Sequence, residues 1–358
     1  MSNWSETLAD RVLAGESPSD DDARRILLDG DTDVLSLVHA AFRVRKATWG
    51  RGVQVHIINN AANGHCPEDC SYCSQAKTST TDIDKYPIKS EDEVLAEARA
   101  AYEAGAHRYC MVFAGRGPSG KRTEVLAGLV RKIKATYNIE VCVSAGLLDD
   151  EKARVLAEAG VNRYNHNLNT SREHYGKICT THTYEDRLDT VRAARRNGLE
   201  VCSGLIVGMG ETTDELIEIA RELALLGAQS IPVNFLLPFE GAPLGVPQTL
   251  TPEFCLRVLC MFRFLCPKAE VRISAGREYH LRSLQALALY PANSLFLDGY
   301  LNSKGARARE TLQMIRDAGF DIVSERNLDD LLAEEPVDRS LIQIGGIKTR
   351  AELRPALT

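Results

Sequence analysis

Residues 90–113 read SEDEVLAEARAAYEAGAHRYCMVF and contain one helix followed by one strand. Ser90 and Glu93 have the spacing of a capping box, which starts a helix, and Gly105 is typical of the position just after a helix end. The run 107–113 that follows is apolar and aromatic, as in a buried strand. A helix with a strand directly behind it is the repeating unit of α/β folds with parallel sheets.

This order repeats through most of the chain. Strands are expected at residues 53–58, 107–113, 139–143, 161–165, 199–207, 230–235, 270–274 and 294–297. Parallel strands joined through helices have right-handed crossovers, and about eight such units favour a closed barrel over an open sheet. No helix opens with a clean phosphate-cradling glycine loop, which weakens a dinucleotide-binding alternative. The predicted fold class is α/β, a (β/α)8 TIM-type barrel with an N-terminal helical extension.

Three regions are expected along the chain. A helical cap covers residues 1–50, the barrel covers residues 51–320, and a C-terminal tail covers residues 321–358. In the cap, Ser19 precedes three aspartates and predicts a helix start there. The tail becomes more polar from about residue 324, so weak packing is expected in it.

Composition excludes several classes of protein. The net charge of −6 argues against a sequence-independent nucleic-acid binder, which would carry a basic face. No apolar run approaches the length needed to cross a bilayer. The chain has ten cysteines and begins without the basic and apolar pattern of a signal peptide. A cytoplasmic protein with reduced thiols, used for metal or redox chemistry, is therefore expected.

Cys66, Cys70 and Cys73 have the spacing C-x3-C-x2-C. A [4Fe–4S] cluster usually has four thiolate ligands, so a local triplet leaves one iron open to a small molecule. A structural zinc site would need a second local pair of Cys or His, and none follows. A disulfide framework would need an oxidising compartment. The triplet therefore predicts an iron–sulfur cluster with an open iron.

A second group of unusual residues lies on or after the predicted strands. Its members are Cys110, Cys142, Cys202, Arg272, Asn165, Asn167 and Asn234. A lone cysteine on a strand is usually a small buried hydrophobe, and a lone arginine is usually an ion-pair partner. In a parallel barrel, however, inward-facing residues converge and active-site groups gather at the carboxyl ends of the strands. Three such cysteines in a chain with an iron–sulfur motif therefore favour a shared interior site.

These motifs closely resemble those of the biotin synthase family of radical S-adenosylmethionine (SAM) enzymes, over about residues 50–320. The similar segments are CPEDCSYC at 66–73, RYC at 108–110, YNHNLN at 164–169, VCSG at 201–204 and VRISAGRE at 271–278, together with Cys142. The resemblance implies sulfur insertion into dethiobiotin to form biotin. It also implies reduced flavodoxin or ferredoxin as electron donor, and a homodimer.

The resemblance assigns two clusters and their ligands. A [4Fe–4S] cluster on the triplet would bind SAM through its open iron. An auxiliary [2Fe–2S] cluster would supply the sulfur and would be held by Cys110, Cys142, Cys202 and Arg272. The amides of Asn165, Asn167 and Asn234 are expected to bind the substrate's ureido ring, which has both donors and acceptors.

Further contacts follow from the same resemblance. Residues expected to contact SAM are Tyr72, Asn167, Asn169, Arg187 and Ile206. Arg108 lies two residues before Cys110 and is therefore expected to face the same side of the strand. It is expected to hydrogen-bond a cluster sulfide, which would tune the reduction potential of the cluster. Some family members have Asp where this chain has Asn169, and many have Lys where it has Ala62.

Other candidate residues are expected to have no role in the chemistry. Cys255, Cys260 and Cys266 fall on a predicted helix as core residues, and Cys179 lies in a loop. His166 alternates with Asn165 and Asn167, so it is expected to point toward the surrounding helices. Two alternatives to the leading function are kept: another radical SAM barrel enzyme, such as a maturase or a methylornithine-type mutase, and an iron–sulfur electron carrier.

Overall fold

Parallel strands close into a barrel in the computed structural model, which describes residues 4–245 and 250–334. The strands are β1 (Gly52–Ala62), β2 (Arg108–Phe113), β3 (Glu140–Ser144), β4 (Arg163–Asn165), β5 (Glu200–Cys202), β6 (Leu205–Val207), β7 (Ser230–Phe235), β8 (Glu270–Ile273), β9 (Ser294–Phe296) and β10 (Asp321–Ile322). Strand β1 pairs with both β2 and β9, which closes the barrel. The predicted α/β barrel is confirmed.

The fifth position of the barrel is divided between β5 and β6, where the sequence predicts one strand over 199–207. Both segments pair in parallel with β7. A Cβ atom on Gly204 would lie 1.9 Å from the carbonyl oxygen of Pro232. Glycine thus permits a close backbone approach that interrupts the strand, as isolated glycines in strands often do.

Helices surround the barrel and precede it. They are α1 (Trp4–Leu13), α2 (Asp20–Leu28), α3 (Val34–Trp49), α4 (Glu91–Glu103), α5 (Gly120–Thr136), α6 (Asp150–Glu158), α7 (Arg172–Ile178), α8 (Tyr184–Arg196), α9 (Thr213–Leu225), α10 (Pro252–Leu265), α11 (Arg277–Leu281), α12 (Gln285–Ala288), α13 (Ala308–Asp317) and α14 (Leu328–Glu334). The predicted capping box at Ser90 is formed, and Thr212 begins α9 with a capping box of the same kind. Among the described helices, none combines the length and apolar character needed to cross a membrane.

The N-terminal helices α1–α3 pack on the outside of the barrel through α10. Eleven consecutive residues of α10, from Cys255 to Leu265, are buried, so this helix is covered on every side. Arg257 in α10 donates to the carbonyl oxygens of Ile26 and Thr32, at 3.0 and 2.6 Å. The helical cap is therefore a second layer over one part of the barrel wall.

The described part of the C-terminal region is packed against the barrel, in contrast to the weakly packed tail expected. Strand β10 pairs with the beginning of β1. Leu328, Leu331 and Leu332 of α14 are buried. These leucines supply the apolar face that a helix needs to pack on its neighbours. Residues 335–358 of the predicted tail lie outside the described residues.

Candidate active site

A cavity of about 280 Å³ lies at the carboxyl ends of the barrel strands. Loops that follow β1, β2, β3, β4, β7, β8 and β9 contribute to its wall. A smaller cavity lies deeper in the barrel, and Val112, Ser144, Asn165 and Tyr300 line both spaces. The two cavities are therefore adjacent compartments at the end of the barrel where TIM-barrel enzymes have their active sites.

The cysteine triplet lines the outer cavity. Cys66, Cys70 and Cys73 follow β1, and Cys73 donates its backbone N–H to the Cys70 carbonyl oxygen at 3.0 Å. Burial raises the pKa of Cys66, and it raises the pKa of Cys73 to about 11. Metal binding to these thiols would therefore release protons. Three thiols in one wall of a cavity fit a cluster that has three protein ligands and one open iron.

The strand cysteines meet in the inner compartment. Cys110, Cys142 and Cys202 are each at most 5% exposed and pack together with Phe296. Cys110 lies directly opposite Cys142 in the β2–β3 ladder. Hydrogen bonds with the Cys142 thiol, together with the charge of Arg272, lower the pKa of both Cys110 and Cys202. Thiols from three separate strands are thus brought into one layer, as expected from the alternation of inward and outward side chains along barrel strands.

Arg272 reaches the same layer from β8. Its Nη1 lies 3.7 Å from Cys202 Sγ, and its guanidinium lies 5.1 Å from the Phe296 ring centroid. Arg272 Nη2 donates to Ser230 Oγ at 2.7 Å. The four residues predicted to hold an auxiliary cluster therefore surround one buried space, and their soft donor set of three thiols fits iron–sulfur ligation.

A buried carboxylate lies beneath this layer. Glu270, which is fully buried, accepts from Arg108 at 2.9 Å, from Arg272 at 2.5 Å and from Arg163, and His56 Nε2 lies 3.1 Å away. Burial alone would raise the pKa of Glu270, but Arg108 and Arg272 outweigh burial and hold the pKa well below its usual range. Glu270 therefore holds the arginines that lie closest to the strand cysteines. Sequence reasoning missed it because a glutamate at a strand start reads as a surface residue.

Arg108 has different partners from those expected. Its Nε and Nη2 donate to Glu140 at 2.8 and 2.5 Å, and its Nη1 donates to Glu270. Carboxylates bind guanidinium groups strongly because both partners are charged. These carboxylates bind three of the guanidinium nitrogens, and the expected hydrogen bond to a cluster sulfide stays a prediction. After the hydrogen bond from Cys142 and the charge of Arg272, the charge of Arg108 also contributes to the lowered pKa of Cys110.

Two of the predicted substrate asparagines face the boundary between the compartments. Asn165 Nδ2 lies 3.1 Å from Asn167 Oδ1 and 3.3 Å from Cys202 Sγ. Asn167 Oδ1 also accepts from the Gly204 N–H at 3.1 Å. Asn234 lines the outer cavity, but its amide bonds to the Leu205 carbonyl oxygen and the Ala275 N–H. Asn165 and Asn167 are thus better placed than Asn234 to bind a ligand.

The residues expected to contact SAM are grouped around the triplet. Tyr72, Asn169, Arg187 and Ile206 all line the outer cavity. Asn169 has a φ of 71°, a left-handed conformation that Asn tolerates, and its Nδ2 donates to the Tyr72 hydroxyl at 2.5 Å. Arg187 Nη1 donates to the carbonyl oxygen of Asn167 at 2.7 Å. This hydrogen bond joins the predicted SAM-contact residues to the predicted substrate-binding strand.

His166 also contributes to the wall of this cavity. It is 7% exposed, and its Nε2 has no hydrogen-bond partner among the described residues. The expectation that its side chain points toward the surrounding helices stays a prediction. Tyr300 and Asn302, which follow β9, also line the cavity. They lie in a loop that carries no motif in the sequence.

Cys255, Cys260 and Cys266 lie in the apolar core, as expected. Cys179, for which no role was expected, is buried as well and has polar neighbours. The Cys70 thiol donates to Cys179 Sγ at 3.7 Å, and this hydrogen bond lowers the pKa of Cys179 to about 4. His182 Nδ1 lies 3.2 Å from the same sulfur. These three residues form a compact donor group beside the triplet.

Comparisons with known proteins agree with this geometry. The Radical SAM superfamily model matches residues 63–223, and the Biotin and Thiamin Synthesis associated domain matches residues 232–321. A solved structure of a methylornithine synthase, 22% identical, has a TM-score of 0.78 over 91% of this chain and 99% of that chain. At this identity the likeness shows the fold alone.

Two curated relatives share much more of the sequence. The biotin synthase of Magnetococcus marinus is 55% identical over 87% of this chain and 98% of that protein. The biotin synthase of Acaryochloris marina is 54% identical over 86% of this chain and 88% of that protein. With this identity over nearly the whole length of the relatives, the chain belongs to the biotin synthase family of the radical SAM superfamily.

Proposed function

We propose that this chain is a sulfurtransferase that inserts sulfur into dethiobiotin to form biotin in a SAM-dependent radical reaction. The single observation that carries the proposal is the presence of two separate thiol groups on adjoining compartments of one barrel. The triplet lines the outer cavity, Cys110 and Cys142 line the inner one, and Cys202 packs in one cluster with these two strand cysteines. The proposed reaction needs this arrangement, because a radical is generated on one side of the substrate and sulfur is supplied from the other side.

The outer compartment is proposed to bind SAM and a [4Fe–4S] cluster held by Cys66, Cys70 and Cys73. When bound, this cluster supplies the electron that cleaves SAM and so begins hydrogen abstraction from unactivated carbon. The protein binds and orients SAM and the substrate and excludes water, because the cofactor carries the hard chemistry. Tyr72 and Asn169, which are joined by a hydrogen bond, form part of the wall next to the triplet.

The inner compartment is proposed to hold a [2Fe–2S] cluster on Cys110, Cys142, Cys202 and Arg272. When bound, this cluster supplies the sulfur atom that enters the product. The charge of Arg272 favours thiolate over thiol at Cys202, and thiolate is the form that ligates metals. Glu270 accepts from two nitrogens of Arg272, which holds the guanidinium near the sulfur layer.

The substrate is proposed to lie between the compartments, against Asn165 and Asn167. The amide groups of these residues can donate to a ureido carbonyl and accept from its N–H groups. Asn165 is within 3.3 Å of Cys202 Sγ, so a ring bound there would be next to the proposed sulfur source. Close placement of the reacting groups is what makes such a transfer effectively unimolecular.

Two partners complete the proposal. Each cleavage of SAM consumes one electron, and reduced flavodoxin or ferredoxin is proposed as the donor. The chain is also proposed to act as a homodimer in the cytoplasm. The electron donor and the homodimer follow from the resemblance of the motifs to those of the family, and the location follows from the ten cysteines, which are expected to be reduced.

The direct test is anaerobic incubation of the reconstituted chain with dethiobiotin, SAM and a low-potential reductant. We expect biotin, methionine and 5′-deoxyadenosine as products, measured by mass spectrometry. Release of 5′-deoxyadenosine without biotin, from protein with both clusters, would favour another radical SAM reaction. Iron analysis separates the alternatives further, because about six irons per chain fit two clusters and about four fit only one.

A further inference from the structure

Cys70, Cys179 and His182 bring three metal-ligand atoms together at one point beside the cavity. One donor atom from each residue lies within 4.8 Å of the other two, and all three residues are buried. Cys179 and His182 lie in the segment between α7 and α8, more than one hundred residues after Cys70. The motifs that carry the proposed function do not include Cys179 or His182.

We propose that these three residues bind one Zn²⁺ ion in the chain that has not yet received its iron–sulfur cluster. Two thiolates and one imidazole are the ligands that zinc prefers, and three protein ligands leave the fourth tetrahedral position for water. The site shares Cys70 with the cluster triplet. Zinc here and a [4Fe–4S] cluster on the triplet therefore exclude each other.

The distances fit a tetrahedral ion. Zinc–sulfur bonds of about 2.3 Å place two thiolates about 3.8 Å apart at the tetrahedral angle. Cys70 Sγ and Cys179 Sγ are 3.7 Å apart. The two ring nitrogens of His182 lie 3.2 and 3.9 Å from Cys179 Sγ, on either side of the separation of about 3.5 Å expected for sulfur and nitrogen ligands. The separations between the two sulfurs and between Cys179 and His182 are thus close to those of a tetrahedral ion, and the separation between Cys70 and His182 is within 4.8 Å.

The surroundings of His182 support one assignment of its ring nitrogens. Glu68 Oε2 lies 2.6 Å from Nδ1 of His182 and can accept a hydrogen bond from the protonated Nδ1. Nε2 is then free to bind the metal. Histidine ligands of zinc usually have such a carboxylate partner. Arg187 Nη2 now donates to Nε2 at 2.9 Å, and this hydrogen bond would be replaced by the ion. Arg187 would keep its bonds to Asn167 and Tyr175.

The test is a zinc titration of the full-length apo chain under anaerobic conditions, against a chromophoric chelator. Wild-type protein is expected to show one tight zinc step. Cys179→Ala and His182→Ala are each expected to weaken this step at least about 100-fold, since loss of a ligand exceeds the 10- to 100-fold effect of losing an outer partner. If an alanine variant does not fold, Cys179→Ser is used in place of Cys179→Ala, and His182→Gln in place of His182→Ala. Co²⁺ should give tetrahedral bands with thiolate charge transfer.

Two control variants separate this site from the other thiols. Cys66→Ala removes a triplet cysteine that is not in the proposed site, and Cys260→Ala removes a core thiol; both are expected to leave the zinc step unchanged. An equal loss in Cys66→Ala would assign zinc to the triplet and overturn the proposal. An unchanged step in Cys179→Ala would overturn it as well.

A second measurement follows cluster loading directly. One equivalent of Zn²⁺ is expected to slow the appearance of iron–sulfur absorption during reconstitution of wild-type protein, and to have no such effect in Cys179→Ala. Equal slowing in both proteins would reject the shared use of Cys70. The zinc titration does not depend on the proposed catalytic activity, so failure of one does not imply failure of the other.

Discussion

Cys70 and Cys260 are both buried thiols, and their surroundings give them different chemistry. Cys70 lines the outer cavity beside Cys66 and Cys73, whereas Cys260 lies on a helix whose neighbouring residues are all buried. A buried free cysteine is inert when its environment is apolar. Substitution of these two residues should therefore separate effects on chemistry from effects on packing.

Cys70→Ala is expected to abolish release of 5′-deoxyadenosine, because the proposed [4Fe–4S] cluster would lose one of its three ligands. Cys260→Ala should keep SAM cleavage and lose only packing energy. The measurement is 5′-deoxyadenosine formed per chain after anaerobic reconstitution, together with iron content. Release at the wild-type rate from Cys70→Ala would contradict the assigned ligand set.

Cys142→Ala tests the inner compartment. Cys142 is hydrogen-bonded to both Cys110 and Cys202, so its loss removes the central thiol of the layer. We expect this variant to keep some SAM cleavage and to form no biotin, because the proposed sulfur source would be missing. Iron content should fall by about two per chain. Biotin formation at the normal rate would be inconsistent with sulfur transfer from this site.

Glu270→Gln tests the buried charges beneath the cysteines. The substitution leaves Arg108, Arg163 and Arg272 without their shared carboxylate. Removing one partner of a buried ion pair costs about 3–5 kcal/mol, because the remaining charge stays buried. Denaturant unfolding should show this loss. Glu103→Gln, which breaks an exposed pair with Arg99, should leave the unfolding transition nearly unchanged.

The sequence predicts well which residues lie together when they sit on barrel strands, and poorly when they sit on loops. Cys110, Cys142 and Cys202 could be grouped because barrel parity decides which strand residues face inward. The contact between Cys70 and Cys179 depends on how two distant loops pack, and no periodicity in the sequence reports it. Glu270 lies two residues before Arg272 on β8 and faces inward by the same parity, but its pairing with arginines from three different strands is not visible in the sequence.

At the level of elements, helix starts were predictable because capping is local. Ser90 and Thr212 begin helices at the positions that their capping boxes indicate. The interruption between β5 and β6 was not predictable, because it depends on the neighbouring strand. Gly204 approaches Pro232 of β7, which is 28 residues away in the sequence.

Gly204→Ala should disturb this strand pair. The new Cβ would lie 1.9 Å from the Pro232 carbonyl oxygen, so the strands must separate. We expect the free energy of unfolding to fall by about 1–3 kcal/mol or more, as for other overpacked cores. We also expect the nearby Cys202 to be displaced. Gly128→Ala is the matched control. Gly128 lies within α5 with no atom near the added Cβ, so alanine should stabilise the protein by about 0.5–1 kcal/mol.

Unfolding midpoints and iron content of the two glycine variants check this prediction together. Gly204→Ala should lower both, and Gly128→Ala should lower neither. A wild-type midpoint for Gly204→Ala would mean that the backbone at this position moves freely, contrary to the tight approach of β6 and β7.

For the whole molecule, the barrel was predictable because the strand–helix rhythm covers most of the chain. The packing of the C-terminal region was not, because polar composition hides a short apolar stripe. Leu328, Leu331 and Leu332 have helical spacing and cover the barrel end near β10. A stripe of three residues is too short to stand out from a polar segment in the sequence.

The N-terminal helices give the last prediction, at the same scale. Helix α10 is buried on all sides, although an outer helix of a barrel normally has one polar face. Helices α2 and α3 pack on it, and Arg257 donates to the carbonyl oxygens of Ile26 in α2 and of Thr32 between the two helices. Deletion of residues 1–33 would remove α1 and α2, expose apolar residues of α10 and leave Arg257 without these acceptors.

We therefore expect the truncated chain to associate through the exposed face of α10, since large exposed apolar patches promote aggregation. Size-exclusion chromatography in parallel with the full chain measures this. Arg257→Ala in the full chain is the matched comparison, because it removes the same hydrogen bonds and keeps the covering helices. A truncated protein that elutes at the position of its expected mass, and loads iron normally, would show that the barrel wall is stable without α1 and α2.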